Sequence, residues 1–165
     1  MSTATASRAR PHARLLPPRD AFDYDYFRER LAVPSLADAG VAVALFRIPV
    51  LAVPVGSGRR GGYASFEQLV HAVEARALLS TVPGFPNLRI RWSPYRDTRH
   101  TVEWGEPGLP WWESDEVFGS FYGYSDSAIA AFVRDHSQTP SSKFSEPCSP
   151  TAQSHLTSPN VSLRT

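Results

Sequence analysis

The segment VPVGSGRRGGYASFEQL, residues 53–69, carries Gly56, Gly58 and Gly61 in G-x-G-x-x-G spacing, between a strand-like apolar run and a helix-like one. Glycines so spaced let a backbone approach a pyrophosphate while the N–H groups of the following helix hold its charge. That chemistry also needs a helix opening directly after the glycines, and an acidic residue about 20 positions on for the ribose. Here the capping box Ser65-Phe66-Glu67-Gln68 predicts a helix starting four residues after Gly61, and residues 81–84 are Thr-Val-Pro-Gly. The preceding strand is expected to pair with its immediate neighbour through a two-residue turn, which excludes a parallel crossover. A Walker-type loop fails at Gly62-Tyr63, where Lys-Ser or Lys-Thr is required. A less specific anion site survives. Arg59 and Arg60, with Gly61, Gly62 and Tyr63, offer guanidinium groups and backbone N–H to a phosphate or carboxylate. The plain alternative is an exposed connection in which glycine supplies unusual dihedrals and arginine supplies solubility.

Other reactive residues do not converge. His100 and Glu103 lie three apart on an expected strand, hence on opposite faces. His71 falls mid-helix beside Val70 and reads as a surface residue. There is no H-x-x-x-H pair, no paired metal spacing and no G-x-S-x-G elbow, so no catalytic residue, metal or cofactor is expected. Asp23 and Asp25 flank Tyr24 and read as a solvated face. The single cysteine, Cys148, excludes an intramolecular disulfide and fits a reducing, cytoplasmic setting. Trp92 and Trp104 are expected in the core, whereas Trp111 and Trp112 begin an aromatic stretch too irregular to be wholly buried. Exposed apolar patches of that kind more often bind partners than do chemistry.

The elements that must position these residues follow from periodicity. DAFDYDYFRERLA, residues 20–32, predicts a helix capped by Asp20. VAVALFRIPVLAVPV, residues 41–55, predicts two strands turning at Ile48-Pro49, with Pro54 placing the second at an edge or bulge. The helix from Ser65 would bury Phe66, Leu69, Val70, Val73 and Ala77 and end near Thr81. LRIRWSPY and HTVEW alternate as a hairpin around residues 96–99. An even register sum keeps the apolar side chains together, and the chosen one sets Trp92 opposite Val102, Ile90 opposite Trp104 and Arg91 opposite Glu103. ESDEVFGSFYGY reads as marginally helical, and Ser125 caps a last helix with Ile129, Phe132 and Val133 on one face.

The order is helix-strand-strand-helix-strand-strand-helix. It predicts an α+β fold, a four-stranded mainly antiparallel sheet with helices packed on one side. Residues 1–19 read as a disordered basic arm, 20–137 as a single domain, and 138–165 as a disordered Ser/Thr/Pro-rich tail. The arm has four arginines and no acid, while residues 20–137 hold 11 arginines against 15 carboxylates. The domain is thus mildly acidic, a poor clamp for nucleic acid. No apolar run is long enough for a membrane span, and no membrane role is expected.

The segments LLPPRDAFDYDYFRERLA, LAVPVGSGRRGGY, GFPNLRIRWSPYRDTRHTVEWGE and FYGYSDSAIAAFV together resemble a family of small uncharacterised actinobacterial proteins, a domain of unknown function. The resemblance spans about residues 15–133, implies a bacterial cytoplasmic setting and brings no activity with it. The leading expectation is a non-catalytic regulatory or adaptor module. Its protein partner would be met through Arg59, Arg60, Gly61, Gly62 and Tyr63, the turn carrying Tyr95, Arg96, Arg99 and His100, and Trp111 with Trp112. The second is an enzyme or sensor binding a small phosphorylated ligand at residues 56–63. The third is nucleic-acid binding through the basic arm.

Overall fold

The computed structural model describes residues 13–45, 48–92, 94 and 99–137. Within them the chain is α+β, with two three-stranded antiparallel sheets instead of one four-stranded sheet. The first sheet consists of β1 (Arg14–Leu16), β2 (Val41–Ala44) and β3 (Val50–Ala52), in the order β1-β2-β3. Two short helices, α1 (Tyr24–Arg30) and α2 (Ser35–Asp38), connect β1 to β2. The second sheet contains β4 (Gly61–Phe66), β5 (Arg89–Arg91) and β6 (His100–Gly105), in the order β4-β6-β5, with α3 (Leu69–Leu79) crossing from β4 to β5. Helices α4 (Asp115–Phe121) and α5 (Asp126–Ser137) follow.

The extra strands come from segments whose local signals pointed elsewhere. Arg14–Leu16, expected in a disordered arm, pairs with β2 through Arg14↔Ala44 and Leu16↔Ala42. The rest of the arm, residues 1–12, and the expected tail, 138–165, lie outside the described residues. Gly61–Phe66 pairs along its whole length with β6, from Gly61↔Gly105 to Phe66↔His100. The capping box at Ser65 is therefore not used: Gln68 is the N-cap of α3 and makes no side-chain cap bond. Six strand pairings outweigh a cap worth about 1 kcal/mol.

The expected hairpin of residues 41–55 forms, with Val41↔Ala52 and Val43↔Val50, but across residues 45–49 instead of a two-residue turn. β3 is an edge strand, as Pro54 requires. β2 and β3 are buried on both faces, which accounts for their continuous apolar run. Val43, Leu45 and Ala52 pack toward Ala72, Ala75 and Leu79 of α3 and Trp104 of β6, while Ala42, Leu51 and Val53 pack under Tyr24, Leu31 and Ala37. Helices consequently cover both faces of the first sheet, not one side. Trp104 joins the sheets by donating its indole N–H to the Val53 carbonyl at 2.9 Å.

Two amphipathic assignments shift. α3 buries Ala72, Ala75 and Leu79, leaving the expected core residues Leu69, Val70 and Val73 exposed. Small alanines let this helix lie close to β6, so tertiary fit overrides the larger side chains. In the β5–β6 hairpin the register is Arg89↔Glu103, Ile90↔Val102 and Arg91↔Thr101, two residues from the expected sum. The parity, and with it each strand's face, is kept. Trp92 falls beyond the paired residues and is 59% exposed, whereas Trp104 is buried. Arg91 still reaches Glu103, at 2.8 Å, and Arg89 joins it at 3.0 Å.

Candidate functional site: a groove over a buried arginine

The glycine segment is two structures. Gly56 and Arg59 exchange both backbone hydrogen bonds, at 3.0 and 2.8 Å, around Ser57 and Gly58, whose φ values are 48° and 92°. Positive φ at both central residues is the signature of a type I′ hairpin turn. Beyond it, Gly61 and Gly62 are buried strand residues. A Cβ on Gly62 would come within 2.6 Å of the Trp104 indole, and one on Gly61 within 2.8 Å of the Phe121 ring. The glycines thus serve a turn and a close packing contact, and no helix N-terminus follows them to hold a phosphate.

This turn sends its two arginines in opposite directions. Arg60 is exposed and forms an ion pair with Glu106 through Nε, at 3.0 Å, and through Nη2. Arg59 folds inward and is only 5% exposed. Its Nη1 donates to the Tyr122 carbonyl at 2.5 Å, and its guanidinium carbon lies 5.8 Å from the centre of the Tyr122 ring. Its Nε is buried without an acceptor among the described residues. Gly123, at φ 71°, closes over it: a Cβ there would lie 2.8 Å from that of Arg59.

Burial lowers the pKa of Arg59, and the groups acting against that loss are Tyr124, Tyr122 and Tyr63, not carboxylates. The guanidinium nonetheless stays charged at neutral pH. The same burial pushes the Tyr122 and Tyr124 phenols up to about 12, so both hydroxyls keep their protons and can donate.

Arg59 lines a cavity of about 1020 Å³ between the first sheet, α1, β4, α4 and α5. That volume is at the top of the range, about 300–1,000 Å³, typical of small-molecule sites. Phe27 stacks on Tyr124 at 6.5 Å, Tyr63 meets Tyr122 edge-to-face at 5.5 Å, and Phe118 stacks on Tyr122 at 6.5 Å. Phe22 and Phe132 extend the aromatic lining while remaining exposed. Asp23 also lines the cavity, accepting a hydrogen bond from the Leu51 backbone N–H at 2.8 Å. Burial raises its pKa, with the Leu51 N–H opposing the shift.

Of the residues singled out in the sequence, the groove brings together Arg59, Tyr63 and Arg99. Arg60 faces a smaller cleft beside Gly105 and Glu106. Gly61 and Gly62 are buried at the start of β4. His100 opens β6 opposite Phe66 and does not line the groove. Tyr95 and Arg96 lie outside the described residues. Trp111 and Trp112 pack edge-to-face at 5.8 Å in the turn before α4, 86% and 69% exposed and away from the groove. Missing from the sequence reading are Phe22, Asp23, Tyr26 and Phe27 from α1 and its approach. The density of aromatics in AFDYDYF was their one signal.

Among the described residues no group of His, Cys, Asp or Glu could hold a metal ion, and no helix is long and apolar enough to cross a membrane. Fold and site together define a two-sheet α+β domain with an aromatic groove built over an arginine that has no carboxylate partner among the described residues. The chain belongs to the family of unknown function DUF6302, whose model matches residues 15–152. No curated protein and no solved structure matches it.

Proposed function

We propose that this protein is a non-catalytic ligand-binding module that takes a small anionic molecule into the groove, with Arg59 as the counter-charge. The observation that carries the reading is the burial of a cationic side chain whose only acceptor among the described residues is one carbonyl. An uncompensated buried charge is costly to stability, and such groups concentrate where a ligand completes them. The reading keeps the expected anion contact of residues 56–63 but moves it from the outer face of the turn to the inner one.

Thermal unfolding of the full chain tests this. Arg59→Met keeps the side-chain length and removes the charge, so the unliganded variant should be more stable than wild type by about 1–2 kcal/mol. Replacing chloride by acetate at constant ionic strength should raise the wild-type melting temperature and leave Arg59→Met unmoved. A variant that is destabilised and still responds to acetate would assign Arg59 to structure alone.

A second reading, docking of a protein partner, is favoured by the exposure of Trp111 and Trp112. Because these residues lie outside the groove, Trp111→Ala with Trp112→Ala should preserve the anion response. Loss of that response would merge the two surfaces into one. Nucleic-acid binding rests on a basic arm of which residues 1–12 lie outside the described residues. A truncation that tests it must stop before Arg14, since β1 belongs to the first sheet; salt-insensitive binding would reject it.

A further inference from the structure

The groove also constrains what kind of anion it takes. Only one guanidinium is buried in it, so one negative charge balances the site. Around that charge Glu29 is paired with Arg30 at 3.7 Å, and Asp23 and Asp115 stand against the single Arg99. A ligand with two or more charges would meet Arg59 once and the carboxylates several times, and like charges at short range repel. The remaining lining is rich in aromatic residues, among them Phe22, Tyr26, Phe27, Phe118 and Phe132, several of them exposed. Ring faces and edges accept flat apolar bodies by offset stacking and edge contacts. Among the described residues only Nη1 of Arg59 has an acceptor, so the guanidinium keeps donor capacity suited to the two oxygens of a carboxylate.

We propose that the ligand is a monoanion carried on a flat apolar body, an aromatic or similarly planar carboxylate rather than a phosphate ester. This rests on the reading of Arg59 as an anion site and adds the charge and the body of the molecule. It also separates the groove from the outer face of the glycine turn, where Arg60 is already paired with Glu106.

Calorimetric titration of the full chain with three probes sharing one ring system tests the class: 2-naphthoate, the neutral 2-naphthamide, and the dianionic 2-naphthyl phosphate. The expected order is naphthoate tightest, by tenfold or more over both others. Arg59→Met should reduce naphthoate affinity to that of the amide, while Arg60→Ala leaves it unchanged. Should Arg59→Met not fold, Arg59→Lys, which keeps the charge and loses the planar fork, is expected to bind naphthoate at least several-fold more weakly. Tighter binding of the phosphate, or no binding of any naphthyl probe beside an Arg59-dependent response to acetate, would overturn the class and leave the anion site standing. Equal binding of acid and amide, or an acid preference that survives Arg59→Met, would overturn both.

Discussion

Arg59 and Asp23 are charged side chains whose roles depend on burial, and they act in opposite senses. Arg59 has no oppositely charged partner among the described residues, whereas Asp23 satisfies a backbone donor at an edge strand. Leu51 N–H would otherwise be a half-buried orphan, which costs about 1–3 kcal/mol. Asp23→Ala should therefore destabilise the protein by roughly that amount in urea unfolding at neutral pH, whereas Asp23→Asn, which keeps an acceptor oxygen, should be close to neutral or slightly stabilising. The sign for Asn follows from the raised carboxyl pKa. Burial penalises the ionised form in the folded state, so removing the charge removes the penalty. Equal loss in both variants would mean that the charge, not the hydrogen bond, is what Leu51 needs. Nothing in the spacing of Asp23 and Asp25 distinguished them; the partner of Asp23 lies 28 residues away.

At the scale of elements, β4 decides the architecture. Its sequence, GGYASF, has two glycines and a capping-box serine, which locally favour a loop and a helix start. Those glycines become assets once the Trp104 ring and Phe121 occupy the space where side chains would stand. Gly62→Ala should cost about 1–3 kcal/mol by overpacking, read as a lower urea midpoint with an unchanged m-value. A change within about 0.5 kcal/mol would show that Trp104 can yield and that the close approach is not required. The β5–β6 hairpin illustrates the complementary case. Parity was readable because a one-residue slip reverses every face, but a two-residue slip conserves faces and is set by contacts outside the hairpin. The bonds from Arg89 to Glu103 and to the Gly105 and Glu106 carbonyls help hold the observed register.

Across the whole molecule, the tyrosines that enclose Arg59 also tie its halves together. Tyr124 bridges to Leu31 at the end of α1 and packs with the cluster under the first sheet, while Tyr122 meets Tyr63 of β4 in the second. Both phenols have folded-state pKa values raised to about 12, above the ordinary value of 10. Their stabilising preference for the neutral form is fully present below pH 10 and is lost as pH rises from about 10 toward 12. Melting temperature should therefore fall over that window, in step with late-appearing phenolate absorbance. Tyr122→Phe and Tyr124→Phe should each flatten the fall. A melting curve insensitive to these changes would place the alkaline transition elsewhere.

Composition and local pattern determined the α+β class, the hairpin of β2 and β3, the face parity of β5 and β6, and the capped start of α5, where Ser125 accepts from the Ala128 N–H at 3.3 Å. They also excluded a dinucleotide fingerprint, because helix start, hairpin and acidic partner are questions of spacing along the chain. Tertiary structure alone decided that there are two sheets, that α3 turns its alanines inward, and that Arg59 and Arg60 part company. Each of these depends on distant segments competing for the same volume: Trp104 against Gly62, Ala72 and Ala75 against the sheet, and Gly123 against Arg59. Adjacent arginines on a turn are indistinguishable in sequence, and only the walls that close around one of them bury it.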